Sequence, residues 1–295
     1  MDGFRVVKST PHNHLRTSSH ITAETANKAV KMAAKRLGRG GIFGVINFNP
    51  STEEVDPRWD LFVKNLRYDK IHTGNGVYLE EPDILAVRGQ EVPTKEGYHI
   101  LLVGTCEDEN IANGASLEDV LDQGDAFNAI IAADHPFHKH GVGNFLLSHP
   151  DYTKRFDLME TYNGIAIDTK KYKNANMEAW LFFKKIMADD INPDLTEFVS
   201  DDGHSIYELG RNYSNIKMPD DYKQFRDNPE RLINALKEGY LANREENLGH
   251  KKYMSKIGAA DHFVDLAILI AANKLLKWDP NRRTALLFDK FGIRI

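Results

Sequence analysis

Cys106 is the only cysteine in the sequence, so no intramolecular disulfide can form, and neither a thiolate zinc finger nor an iron–sulfur cluster has its ligands. A reducing compartment is the natural expectation. Long apolar runs are equally scarce. The longest strongly apolar stretch, residues 266–272, falls far below the roughly 20 residues needed to cross a bilayer, so no membrane partner is expected. Basic charge is also in deficit: 38 Lys and Arg against 43 Asp and Glu leave a net charge of −5, which disfavours a chain that coats nucleic acid. Residues 1–7 lack the apolar segment of a secretory signal, which makes a cytoplasmic protein the expectation.

What is present is a globular composition, 41% hydrophobic and 27% charged in 295 residues. That length accommodates two ordinary domains or one barrel of roughly 250 residues with an appendage. Short apolar segments at 4–8, 42–48, 84–92, 99–103, 129–133, 158–162 and 197–200 alternate with amphipathic or polar stretches, a pattern of βα units. The first intervening stretch, 22–37, has Thr22 as N-cap, Glu24 in its first turn and Ala26, Val30, Ala33 and Leu37 on one face, and stops at Gly38. Further helices are expected at 117–121, 177–187 and 229–239. The pattern changes after about residue 245. A basic connector, His250-Lys251-Lys252, precedes an apolar helix expected at 259–278. Its near-continuous hydrophobicity implies burial against the barrel or against a second subunit, which would be the route to a homo-oligomer. The expected organisation is therefore a barrel over 1–245 and a C-terminal helical extension over 246–295.

The histidines are the informative residues, 12 in number and grouped at strand boundaries. In His12-Asn13-His14, alternate residues of an extended segment point the same way and can present two imidazoles to one ion, with His20 in the same loop region. Glu91 ends an apolar strand in Gly89-Gln90-Glu91, and its two oxygens could bridge cations roughly 3.5–4 Å apart. His99 opens a strand, His135 follows another in Asp134-His135-Pro136-Phe137, and Asp202-Gly203-His204 follows the seventh. In a parallel barrel, the C-terminal strand ends form one reactive mouth where such residues meet.

In this ordered set the sequence resembles the PHP family, the polymerase and histidinol phosphatase superfamily of metal-dependent phosphoesterases. The matching patterns are the opening H-x-H at His12/His14, the G-x-E of Gly89/Glu91, the H-x-L-x-G beginning at His99, the H-P-F of His135-Pro136-Phe137 and the D-x-H-S of Asp202/His204/Ser205, over residues 5–245. Glu160-Thr161-Tyr162-Asn163-Gly164 and Glu208-Leu209-Gly210-Arg211 are family-like segments without ligands. The resemblance implies a distorted (β/α)7 TIM-like barrel holding two or three divalent ions. His12, His14, Glu91 and Asp202 would hold the first, Glu91, His99 and His135 the second, and His20 and His204 the third. Two positions depart from the pattern. Phe48 stands where the family often has a histidine after the second strand, and Thr10 where it has an aspartate, so the third site lacks a ligand.

Two divalent ions sharing a carboxylate acidify water and supply a hydroxide, which suits hydrolysis of a phosphate ester, a small phosphorylated metabolite or a nucleotide. Glu91, Asp202 and His204 are the expected catalytic residues, His204 or His20 being able to protonate the leaving oxygen. Arg211, Arg16 and His138 are expected to grip the phosphate, Arg211 foremost because guanidinium pairs bidentately with it. For Arg211 a turn pairing with Glu208 stands as the alternative, and for Arg16 a solvated side chain. His138 and His140 are loop residues that could also act as surrogate ligands. Zinc, manganese and iron all suit imidazole and carboxylate ligands. The alternatives are a non-catalytic metal- or nucleotide-binding barrel with a degraded third site, and C–N hydrolysis of amidohydrolase type, disfavoured by the lack of an evident bridging lysine. The Gly38–Gly41 region lacks the pattern of a nucleotide P-loop, and Ser200, His204 and Asp202 lack a nucleophile elbow.

Overall fold

The computed structural model describes residues 3–16, 20–48, 55–165 and 174–252. In chain order they form β1 (Phe4–Thr10), α1 (Ala23–Leu37), β2 (Gly41–Asn47), α2 (Arg58–Asn65), β3 (Lys70–His72), β4 (Gly76–Leu79), β5 (Ile84–Pro93), β6 (His99–Val103), α3 (Leu117–Ala126) and β7 (Ile130–Ala133). There follow α4 (Gly143–Ser148), β8 (Leu158–Asn163), α5 (Ala175–Ala188), β9 (Thr196–Ser200), β10 (Tyr213–Pro219), α6 (Pro229–Glu246) and β11 (His250–Lys251). All seven expected strands are present. Four were not anticipated: the β3–β4 hairpin, β10 and β11.

The strands form one mixed sheet in the order β11-β10-β1-β2-β5-β6-β7-β8-β9, with β4 also paired to β5. The sheet is nearly closed. The gap between β9 and β10 is spanned by side chains rather than by a ladder: Val199 N–H donates to Ser214 Oγ at 3.0 Å, and His250 on β11 lies 3.5 Å from Glu197 on β9. His250-Lys251 is thus a short strand paired with Tyr213 and Ser214, which corrects its reading as a connector. The helix expected at 259–278 lies outside the described residues.

Alternation along each strand sorts the core. On β5, Leu85 and Val87 face the barrel interior with Ile42, Ile46, Leu101, Val103, Phe198 and Ile216, and Leu232, Leu236 and Tyr240 of α6 close that cluster. Ile84 and Ala86 face outward against Ala26, Val30, Ala33 and Leu37 of α1. Helix α1 starts where its cap demands, with Thr25 N–H donating to Thr22 Oγ1 at 3.2 Å, and ends at Gly38 with φ 78°. The remaining apolar layer packs α3 and α5 on β7 and β8.

Strand direction decides where the polar residues meet. β1, β2 and β5 are parallel, as are β7, β8 and β9, but β6 runs antiparallel to both β5 and β7. The expectation of an all-parallel mouth is corrected accordingly. Because β6 is reversed, its first residue, His99, pairs with Pro93 and lies on the same rim as Glu91 near the end of β5. The residues following β1, β7 and β9 reach that rim at the C-terminal ends of their strands.

Candidate metal centre

Backbone bonds tie the loop after β1 to the loop after β9 and to the end of β2. His14 N–H donates to the Gly203 carbonyl at 2.8 Å, and Ile46 N–H donates to the Asn13 carbonyl at 2.9 Å. The first contact sets His12 and His14 beside Asp202. Space for the loop is made at Gly44 on β2, where a Cβ would lie 1.7 Å from the Pro11 carbonyl oxygen. The backbone is held in the left-handed region at Leu15 (φ 58°), His135 (φ 27°) and Asp202 (φ 47°), as it also is at turns elsewhere such as Asp83 and Asn128, and here it aims ligand side chains.

The side chains form two groups sharing one carboxylate. Glu91 Oε2 faces His14 Nε2 at 2.9 Å and His12 Nε2 at 3.8 Å, while Asp202 Oδ1 lies 3.4 Å from His12 Nε2 and 3.6 Å from His14 Nε2. Glu91 Oε1 faces the other way, toward His99 Nδ1 and, at 3.2 Å, His135 Nε2. Asp134 Oδ2 joins that second group, 3.3 Å from His135 Nε2. His12, Glu91, Asp134 and Asp202 are all buried.

These buried atoms do not satisfy one another. His12 Nδ1 and Nε2, His14 Nε2, His135 Nδ1, both oxygens of Asp134 and Asp202 Oδ1 have no partner of hydrogen-bonding geometry among the described residues, although buried polar atoms nearly always find one. Ligand atoms held at about 2.1 Å from a tetrahedral ion stand about 3.4 Å apart, close to the separations found here. The donor set of imidazoles and carboxylates therefore fits a pair of divalent cations, the first at His12, His14 and Asp202 and the second at His99, Asp134 and His135, with Glu91 between them.

The electrostatics of the cluster set burial against the attraction of opposite charges. Burial opposes a charge on His12, but Asp202, Glu160 and Glu91 outweigh it and hold its pKa well above the imidazole range. His135 is likewise opposed by burial and raised to about 10 by Asp134 and Glu91. Burial dominates at His14 and lowers it to about 4, with His204 and Arg58 acting in the same direction. Burial also pushes Asp134 up to about 7, whereas the surrounding imidazoles overcome burial and keep Glu91 well below the carboxylate range.

The remaining expected residues lie further out. His20 is exposed, and its carbonyl accepts a bond from Arg16 Nη1 at 3.1 Å. Arg16 is buried rather than solvated and ties its loop to Ser205 through a backbone bridge. His204 is 39% exposed, its Nδ1–H donates to the Asp202 carbonyl at 2.9 Å, and its ring centre is 4.7 Å from that of His14. Neither His20 nor His204 enters the two close groups found among the described residues. His138 is half-buried with its ring 6.0 Å from that of His135, His140 stacks on His99 at 4.9 Å, and the backbone N–H of Arg211 donates to Asp201 at 3.1 Å. Phe48 lies edge-on to both His14 and His99 at 6.3 and 5.7 Å.

Three polar residues had not been assigned to the site. Asp134 was adjacent to an expected ligand, and its position beside His135 was the available signal. Glu160, in a segment read as lacking ligands, accepts from His135 N–H at 2.6 Å, from Asn163 Nδ2 at 2.9 Å and from Ser200 Oγ, and faces His12 Nδ1 at 3.6 Å. Arg58 opens α2 far from every histidine pattern, and no local signal marked it.

Fold and rim together define an α/β barrel with paired, carboxylate-bridged histidine clusters. No protein-family model and no curated protein matches the chain. Among solved structures, PsfC from Pseudomonas syringae aligns with a TM-score of 0.50 at 13% identity, covering 83% of this chain and 98% of that one. A two-domain protein from Bacteroides vulgatus, described as containing a predicted PHP-like metal-dependent phosphoesterase, aligns at 0.47 and 14% identity over 81% of this chain and 65% of that one. The lesion-specific endonuclease PfuEndoQ from Pyrococcus furiosus aligns at 0.46 and 15% identity over 77% of this chain. The chain spans 56% of that endonuclease's length. At these identities the likeness is one of fold.

Proposed function

We propose that this protein is a PHP-type phosphoesterase that hydrolyses a phosphate ester of a small metabolite or nucleotide with two divalent cations. The observation carrying this reading is Glu91, whose oxygens face two separate groups of buried, unsatisfied imidazole and carboxylate atoms. His12, His14 and Asp202 would hold one ion, and His99, His135 and Asp134 the other. When bound, such a pair neutralises phosphate oxygens and lowers the pKa of coordinated water toward neutrality.

The chain's own residues do the rest. Glu160 and Asn163 orient the ligands, Asn163 Nδ2 donating to both Glu160 and Asp202. His204 is the accessible imidazole of the site, and its Nδ1–H bond to the Asp202 carbonyl leaves Nε2 to exchange a proton with the leaving oxygen. His138, whose ring lies 6.0 Å from that of His135, and Arg211 would serve as phosphate contacts. Arg16 acts from behind, holding the His14 and His204 loops together.

The test is hydrolysis of phosphomonoesters and phosphodiesters by protein loaded with Mn²⁺ or Zn²⁺, compared with Glu91→Ala and Asp202→Ala. Turnover in the wild type and its loss in folded variants is the expected result. Stoichiometric metal without turnover on any phosphate ester would replace this reading with that of a metal-binding protein.

A further inference from the structure

Arg58 is a buried cation placed directly against a metal-ligand histidine. It is 4% exposed, and its Nη1 lies 2.9 Å from His14 Nδ1 and 2.6 Å from the Ile46 carbonyl oxygen. Asp56 holds it there, with Oδ2 3.3 Å from Nη2 and Oδ1 accepting the Arg58 backbone N–H at 2.9 Å.

A guanidinium has donors only, so in the shorter of the two contacts at His14 Nδ1, 2.9 Å to Arg58 against 3.2 Å to the Ile46 carbonyl, the ring nitrogen accepts. Neutral imidazole has one N–H and one bare nitrogen. With Nδ1 accepting, the proton of His14 resides on Nε2, the atom that points toward Glu91 and Asp202. Holding a cation requires the opposite arrangement: Nε2 bare and Nδ1–H donating, usually to a carboxylate or backbone carbonyl that fixes the ring. The Ile46 carbonyl is placed for that role, 3.2 Å from His14 Nδ1, and Arg58 also donates to it at a shorter distance.

We propose that Arg58 sets the cation affinity of the first cluster by holding His14 in the tautomer that does not bind metal. The inference rests on the metal-centre reading above. For His14 to ligate, a proton must leave Nε2 and one must be taken up at Nδ1, with no net change, and Arg58 must release Nδ1, whereas the Ile46 carbonyl oxygen, with two lone pairs, can accept from both groups. The second cluster has no such antagonist among the described residues: His135 and His99 face Glu91 and Asp134, and the ring stacked on His99 is His140. The two ions therefore load unequally, the second cluster binding more tightly.

Two measurements test this. In metal-free wild type labelled with ¹⁵N-histidine, long-range ¹H–¹⁵N correlation reports the tautomer of His14, assigned by its loss in His14→Gln. An Nε2–H ring is expected, and an Nδ1–H ring overturns the proposal without any variant having to fold. Calorimetric titration with Zn²⁺ then compares wild type with Arg58→Met, in which Asp56 keeps the backbone donors of Arg58 and Phe48. The weaker of the two sites should tighten by about tenfold or more, the size of effect expected of an outer partner of a metal ligand, and the tighter site should be unchanged. Equal or weaker binding in Arg58→Met overturns the role of Arg58 alone, whereas absence of zinc binding in both proteins overturns the metal-centre reading with it.

Discussion

Replacing Glu91 with glutamine preserves the shape of the side chain and removes the charge shared by the two clusters. Because Oε2 faces His14 and His12 while Oε1 faces His99 and His135, the change should weaken both ions together. Loss of an outer partner of a metal ligand already costs roughly 10–100-fold in affinity, and loss of a ligand itself should cost at least as much. At a free-metal concentration of about 100 times Kd, each ion stabilises the folded chain by about 2.7 kcal/mol; a variant binding about 100-fold more weakly retains about 0.4 kcal/mol per ion. For two ions, the metal-dependent rise in Tm should fall from roughly 10–20 °C to roughly 2–3 °C in a chain of this size. The assay is thermal unfolding with and without Zn²⁺ or Mn²⁺, alongside metal counting after gel filtration. His99→Ala is the control, since it should lower one ion's occupancy and spare the other. If Glu91→Gln behaved like His99→Ala and released a single ion, the carboxylate would not be shared and the two-cation argument would fail.

Glu160→Gln is expected to destabilise the metal-free protein by about 1–3 kcal/mol in urea unfolding, because a buried acceptor of bonds from His135, Asn163 and Ser200 loses an oxygen. Metal affinity should fall as well, since the anchor of the His135 turn is disturbed, and unchanged affinity would restrict Glu160 to a packing role. Glu197 concerns barrel closure. Burial raises its pKa, but His250, Thr161 and Lys252 outweigh that and bring it down to about 2. A carboxylate depressed from 4.5 to about 2 contributes stability that is complete above pH 4.5 and is lost as pH falls toward 2, on the order of 3 kcal/mol in full. The difference in unfolding free energy between wild type and Glu197→Gln should therefore be largest near pH 7 and shrink by more than half at pH 3. A difference independent of pH would mean that the β9–β11 contact is not an ionic one.

Much of this architecture can be read along the chain because it depends on local pattern. Alternation of apolar residues and the Thr22 and Gly38 caps place the seven strands and helix α1 within a few residues of their observed bounds. The histidine and carboxylate patterns mark eight expected ligands, of which His12, His14, Glu91, His99, His135 and Asp202 converge in space. What escaped is non-local. β3 and β11 are too short to show a period, and β10 alternates but has its register set by β1, more than 200 residues away. Reversal of β6 is a property of the sheet, yet it alone explains how a histidine that begins a strand can meet a glutamate near the end of the preceding one.

The residue types capable of holding cations, and their attachment to strand ends, were determined by the sequence itself, since side-chain chemistry and strand periodicity are carried by neighbouring residues. Tertiary structure alone decided which of Glu91's oxygens faces which cluster, that Asp134 and Glu160 join the rim while His20 stands outside the close groups, and that Arg58 reaches His14 across 44 positions of chain. The reason is physical. Coordination and hydrogen bonding depend on directions and separations of a few ångströms, and those are set by the closure of the sheet rather than by distance along the polypeptide.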